Sequence, residues 1–484
     1  MRGLTRRRFL STAAAAGAAM LAPVAMALGT DKGTTLWATR RVIEVGGKAA
    51  DVFGILQPDG VHGVIAEAGG PFRVRLVNEL DEDTLIHWHG LTPPSAQDGV
   101  PGLSQPALKP GGSYDYDFPL ARPGTNWMHS HVGLQEQRLL AAPLIVRDPV
   151  EADLDEQEVV VLLHDFTFRD PAEILAGLTG GGGAPHHDHG AAAADGMDHA
   201  AMGHGSPAAT GAQPHLNDVE FDAYLANDRT LGDPAVVRVD AGGRVRLRII
   251  NAAAATNFWL DLGALSGNLV AVDGHAVVPV PGRRFPLAIA QRLDLRLRLP
   301  GAGAFPILAQ REGDVARTGI LLATAGAAIA RIADRADTPS DALDLALERR
   351  LVAAGGGLSN GSERPRRRHR LELTGAMAGF VWGFDGWRFG EDTPLAVRRG
   401  ERVEVTLVNR TDMSHPIHLH GHAFQVVAIN DRPLGGALRD TVLVPVGGSV
   451  TIAFDADNPG HWALHCHNLY HMAAGMMTSL KYAS

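Results

Sequence analysis

The chain has 484 residues, of which 45% are apolar, enough to bury several cores and to exclude intrinsic disorder over most of its length. Acidic residues (53) outnumber basic ones (44), for a net charge of −9, a balance unsuited to gripping nucleic acid through its phosphates. A single cysteine, Cys466, stands against 22 histidines and 11 methionines, which excludes an intramolecular disulfide framework and any zinc site built on two thiolates.

Residues 1–27 have the order of an export signal: Thr5-Arg6-Arg7-Arg8-Phe9-Leu10, then an Ala-rich stretch from Ser11 to Val24, then Ala25-Met26-Ala27. The paired arginines ahead of Phe-Leu match the twin-arginine pattern, so the export machinery of that route is an expected partner and the location is periplasmic or otherwise exported. The apolar stretch is broken by Pro23 and falls short of the ~20 residues a span needs, so no stable membrane insertion is expected after processing. Loss of that segment removes four arginines and no acid, leaving 40 basic against 53 acidic residues, or −13.

Three segments look alike: Phe72–Asn78, Val245–Asn251 and Val403–Asn409. Each largely alternates apolar with polar residues, follows a Gly-containing turn and ends at Asn, as a sandwich strand does. Their wide, similar spacing predicts the same strand in three tandem β-sandwiches, over 36–150, 155–325 and 366–484. Residues 180–214, rich in Gly and Ala, are expected to be a flexible loop inserted in the second domain. The leucines of Ala342–Val352 suggest a helix bridging the second and third domains, and the basic run Arg364–Arg370 reads as a solvated linker.

Four His-x-His pairs stand out: His87/His89, His129/His131, His418/His420 and His465/His467. At this histidine frequency about one such pair arises by chance, so the set of four is the signal. On an extended strand, i and i+2 project to one face, so each pair aims two imidazoles into one space. Eight converging imidazoles suit a cluster of borderline metals, copper above all.

Cys466 lies between His465 and His467 and points to the opposite face, with His471 at plus five and Met476 at plus ten. Together with His415, about fifty residues upstream, these supply two imidazoles, a thiolate and a thioether. That is the ligand set of a blue-copper electron-transfer site.

Here the sequence resembles the multicopper oxidases along its whole mature length. The motifs are His87-Trp88-His89-Gly90-Leu91, Asp98-Gly99-Val100-Pro101-Gly102, Trp127-Met128-His129-Ser130-His131, His415 to His422, and the His-Cys-His segment. The resemblance implies an all-β fold of three tandem cupredoxin-like Greek-key β-sandwich domains. It also implies four copper ions: one type 1 in the third domain, and a type 2 with two type 3 between the first and third. By position, type 1 copper takes His415, Cys466, His471 and Met476, and type 2 takes His87 and His418. The type 3 pair takes His89, His129, His131, His420, His465 and His467, while His422 is expected to hydrogen-bond structurally and the second domain to act as a spacer.

The implied reaction takes single electrons from a reductant at the type 1 site and passes them through Cys466 to reduce O2, with four electrons and four protons, to two waters. Asp98 stands where the family places an acid by the type 2 copper and is the candidate proton relay. Copper-efflux oxidases carry an acid after the second type 1 histidine, whereas Met472 follows His471, which leaves a second proton route unassigned.

For the donor, Met413 stands where such relatives use a methionine to bind cuprous ion, with the Asp412 carboxylate beside it to help capture the ion, the alternative being that Met413 packs at a strand end. The loop residues His186, His187, His189, Met197, His199, Met202 and His204 are further candidates for gathering copper. The reading is an exported oxidase of cuprous ion, phenolic compounds or both, serving copper tolerance. Its alternatives are a laccase acting on phenols or aromatic amines, and a non-catalytic copper-binding or envelope scaffold protein.

Overall fold

The computed structural model describes residues 33–180, 215–358 and 364–483. The export segment and the seven His and Met candidates of the 180–214 loop lie outside the described residues. Strand makes up 48% and helix 6% of the structure, which is therefore all-β.

The three look-alike segments are strands, Pro71–Asn78, Arg244–Asn251 and Arg402–Asn409, and each holds the same place in its own sheet. Each runs parallel to the first strand of its unit (Thr34–Val45, Gln157–Phe166 and Arg366–Ala376) and antiparallel to a later one. Their closing asparagines also do one job. Asn78, Asn251 and Asn409, all buried, accept from the backbone N–H two residues on (Leu80, Ala253, Thr411) and donate Nδ2 to two carbonyls. A side chain that satisfies the turn in this way fixes where the strand stops.

Each of these sheets faces a second one across an apolar core. In the first unit Leu36, Phe53, Phe72, Trp88 and Met128 fill the gap; in the second, Leu247, Phe258, Leu295 and Ile320; in the third, Trp382, Leu407, Ile452, Trp462 and Cys466. Two facing sheets with inward apolar side chains make a sandwich. The second sheet of the third unit runs in the order Leu395–Val397, Met477–Tyr482, His461–Cys466, His415–Leu419, Thr441–Val444. Its central strands carry His415, His418, His465 and Cys466.

Two expectations change. Residues 342–352 form no α-helix: Leu343, Leu345 and Leu347 recur every second residue, a period that an extended segment buries, and only Glu348–Arg350 turns as a 3-10 helix. The bridging role stands, since Leu343 and Leu345 enter the third core and Leu347 and Leu351 the second. The basic run is not a linker but the start of the Arg366–Ala376 strand. Its outward arginines pair across to the neighbouring strand and the turn before it, Arg367 to Glu401 (2.6 Å) and Arg368 to Glu404 (2.9 Å).

Candidate metal centre

Each His-x-His pair straddles the end of a strand. His87 closes Ile86–His87, His129 lies next to last in Gly124–Ser130, His418 next to last in His415–Leu419 and His465 in His461–Cys466; the second histidine of each pair follows just beyond. Strand register puts His87 opposite His129 and His418 opposite His465. The first and third units meet so that Nε2 of His87 lies 3.4 Å from Nε2 of His418.

The eight imidazoles turn one nitrogen each toward a shared interior. His420 Nε2 and His465 Nε2 are 3.0 Å apart, and with His131 they form a group whose ligand atoms lie within 4.8 Å of one another. His89, His129 and His467 form a second trio, with ring centroids 4.9 to 5.6 Å apart. Ligand atoms also converge in the groups His87, His418, His420 and His87, His89, His129, so the eight share one interior.

Four of the inward nitrogens, His89 Nδ1, His129 Nε2, His131 Nε2 and His467 Nε2, are buried without a hydrogen-bond partner among the described residues. The other four face each other nitrogen to nitrogen. Buried nitrogens left unpaired are costly unless a cation takes their lone pairs, so the donor set fits metal. Burial holds His89, His129, His131, His418, His420 and His467 well below the ordinary imidazole range and His465 down to about 3, which keeps these rings neutral and able to ligate.

The outward nitrogens are held by the chain. His87 Nδ1 donates to the Asp98 carbonyl (2.8 Å), His418 Nδ1 to the Asp440 carbonyl (2.8 Å) and His465 Nδ1 to the Cys466 carbonyl (2.9 Å). His420 Nδ1 meets Asp98 Oδ2 at 2.8 Å, and His129 Nδ1 bonds the Ser130 carbonyl (3.0 Å) with Glu136 Oε2 beside it at 2.9 Å. Such bonds fix ring orientation and tautomer. They also explain the Asp98-Gly99 motif: a Cβ on Gly99, at φ +85°, would lie 1.9 Å from the Ile86 carbonyl oxygen, so only glycine lets Asp98 reach behind His87 and His420.

On the other face of the His461–Cys466 strand, Cys466 Sγ lies 3.6 Å from His415 Nδ1 and 3.7 Å from His471 Nδ1, and those nitrogens are 3.1 Å apart. The loop that returns His471 and Met476 is tied down at both ends. Asn468 caps the Leu469–Ala473 helix by accepting from Tyr470 N and His471 N, and Cys466 N donates to the Met476 carbonyl. His415 Nε2 contacts Thr411 Oγ1 (2.7 Å), and Asp218 Oδ2 lies 2.9 Å from His471 Nε2, so both rings offer Nδ1 to the sulfur. Met476 is fully buried in the same core, and Trp382 stacks on His471 with centroids 4.2 Å apart. Burial pushes the Cys466 thiol up, so ligation, which displaces the proton, is what would make it a thiolate.

Three profiles, each described as multicopper oxidase, match residues 59–151, 158–332 and 363–484. Over 426 residues the chain is 33% identical to the multicopper oxidase MmcO of Mycobacterium tuberculosis, covering 86% of this chain and 80% of that one. The chain belongs to the multicopper oxidases. It is 27% identical to copper resistance protein A of Escherichia coli over 525 residues, covering 85% and 86% of the two chains. Among solved folds it is similar to a multicopper oxidase of Pseudomonas thermotolerans (TM-score 0.69, 23% identity, 95% and 100% coverage) and to a laccase of Botrytis aclada (TM-score 0.73, 23% identity, 94% and 88% coverage).

Multicopper oxidases bind four coppers, one type 1, one type 2 and two type 3, and are oxidoreductases that use O2; the histidine groups of this chain are compatible with that set. His422 bridges the His420 carbonyl (3.1 Å) and the Tyr482 hydroxyl (2.7 Å), a structural bond. Of the candidate donor residues described, Met413 is only 3% exposed and packs in the third core, while Asp412 is half-exposed beside His215, so Asp412 alone of the two is offered to solvent. The sequence reading missed Glu136, Asp218, Thr411 and Asp440. Each is a polar side chain that the fold carries to the back of an imidazole, and none belongs to a His-x-His pair or to the motif around Cys466.

Proposed function

We propose that this multicopper oxidase holds type 1 copper with His415, Cys466, His471 and Met476, type 2 copper with His87 and His418, and the type 3 pair with His131, His420 and His465 on one side and His89, His129 and His467 on the other. The observation that carries the reading is the set of inward imidazole nitrogens, each buried and either unpartnered or facing another nitrogen. One-electron oxidation of a donor and four-electron reduction of O2 to water are the chemistry that bound copper supplies. The chain's own part is to join the two groupings, since Cys466 is bonded in sequence to His465 and His467, and to hold the rings from behind. Asp98 is the proposed proton relay: it is 1% exposed, its Oδ2 meets His420 Nδ1, and its Oδ1 lies 3.4 Å from His87 Nδ1.

The proposed donors are cuprous ion, phenolic compounds or both, in an exported, periplasmic protein serving copper tolerance and carried by the twin-arginine route. Relatives named copper resistance protein A and laccase support the two donor classes. No helix among the described residues is long and apolar enough to cross a membrane. The purified, copper-loaded chain, with and without residues 182–212, is given Cu(I) or a phenol while O2 uptake is followed. Faster uptake with Cu(I) that falls on deletion supports the copper-tolerance role; uptake on phenols alone makes the protein a laccase; no uptake with either leaves a copper-binding scaffold.

A further inference from the structure

The second unit supplies no ligand in the reading above, yet it reaches the metal-facing histidines. Arg292 opens the Arg292–Arg298 strand of that unit and is fully buried. Its guanidinium donates Nη1 to Asp440 Oδ1 at 2.7 Å and Nη2 to Asp440 Oδ2, a two-pronged ion pair with the third unit. Its Nε donates to the Thr125 carbonyl of the first unit at 3.1 Å. Beside it, Gln291 Nε2 donates to the Thr441 carbonyl at 3.2 Å.

Asp440 and Thr441 then touch two imidazoles. Asp440 Oδ1 lies 3.1 Å from His89 Nε2, and the Asp440 carbonyl accepts from His418 Nδ1 at 2.8 Å. Thr441 Oγ1 lies 3.3 Å from His89 Nε2, 3.2 Å from His418 Nδ1 and 2.9 Å from Asp440 Oδ1. His89 is the only histidine of the cluster whose Nε2 is occupied by a carboxylate and whose Nδ1 is left inward among the described residues. The glycine of His89-Gly90 belongs to the same arrangement: a Cβ there, at φ +95°, would sit 2.6 Å from Arg292 Nη2.

We infer that Arg292 is a positioning residue of the copper cluster, through which the second unit orients His89 and His418 by clamping Asp440. The inference rests on the ligand reading above. A carboxylate free to rotate would let the His89 ring turn over and offer Nε2, whereas one gripped by both guanidinium prongs leaves Nδ1 as the inward nitrogen. The pair is anchored further back, where Asp273 and Glu348 hold the buried Arg439 at 2.8 Å each. Asp273 Oδ1 also accepts from Arg292 N at 2.9 Å. This remote arm has no contact with an imidazole of the cluster.

The test uses the full copper-loaded chain in three variants, Asp440→Asn, Arg292→Lys and Glu348→Gln. Measured are copper per chain after dialysis against a chelator, the type 2 electron paramagnetic resonance signal, the blue absorbance and the melting curve. Asp440→Asn and Arg292→Lys are expected to hold cluster copper 10- to 100-fold more weakly and to shift the type 2 signal, the loss that removing a ligand's outer partner typically brings. Both should keep the blue band and cooperative melting. Glu348→Gln should melt lower yet keep the wild-type signal. The inference is overturned if either pair variant retains wild-type cluster copper and signal, if Glu348→Gln loses them equally, or if both pair variants lose the blue band and fold together. Should the wild type hold copper only at Cys466, the ligand reading itself has failed.

Discussion

His465 donates from Nδ1 to the carbonyl oxygen of Cys466, its own neighbour, at 2.9 Å. The strand alternation at this point sends the His465 ring toward His420 and the Cys466 sulfur toward His415 and His471. Two candidate metal-binding environments are thus separated by one peptide unit, with the ring of one residue bonded to the carbonyl of the other.

The first prediction follows from that separation. Cys466→Ser should abolish the blue colour and donor oxidation while leaving the cluster's copper in place. Copper analysis with optical spectroscopy checks this; loss of all copper would show that the two sites do not load separately.

Asp98 contacts both a proposed type 2 and a proposed type 3 ligand from behind. Asp98→Asn keeps the shape and removes the carboxylate, so turnover per bound copper should fall by roughly 10²-fold or more, beyond any weakening of copper that loss of the His420 partner brings. Steady-state O2 uptake alongside copper analysis distinguishes this from simple metal loss. Unchanged turnover would remove Asp98 from the proton path.

Asp218 lies 2.9 Å from His471 Nε2 and accepts from Asn468 Nδ2 at 2.8 Å, linking the ring to the cap of its own helix. Asp218→Ala should weaken copper at the blue site by about 10- to 100-fold and spare the cluster. A chelator titration followed by blue absorbance reads this directly.

Acid stability has an identifiable contributor outside the proposed copper ligands. Burial lowers His164 from 6.5 to about 4, and its Nδ1 lies 2.9 Å from the Ala252 carbonyl oxygen. In the unfolded chain this ring takes a proton below about 6.5, while in the folded one it does so only near 4, so stability is lost as pH falls through that window. The loss amounts to about 3 kcal/mol at most. In denaturant melts, His164→Phe should lower stability at neutral pH and flatten its fall between pH 6.5 and 4. An unchanged slope would contradict it.

The candidate ligands stood out in the sequence because metal chemistry demands fixed spacing: i and i+2 on a strand for each imidazole pair, and plus five and plus ten for the loop carrying His471 and Met476. The three-fold repeat was legible through Asn78, Asn251 and Asn409, whose turn-closing bonds constrain the local sequence. What could not be read was contact between distant segments. Arg292 and Asp440 are 148 residues apart, and nothing local to either marks the other. The leucines of 342–352 misled because Leu347 and Leu351 are four apart, as on a helix, while Leu343, Leu345 and Leu347 follow the two-residue period of an extended segment lying across two cores.

The most direct test of the central claim is the electron count of O2 reduction by the copper-loaded chain given a measured amount of Cu(I) or phenol. A multicopper oxidase with an intact cluster consumes one O2 for every four electrons and releases no hydrogen peroxide. Peroxide accumulating at one molecule per two electrons, or a copper-loaded chain that takes up no O2, would contradict the account.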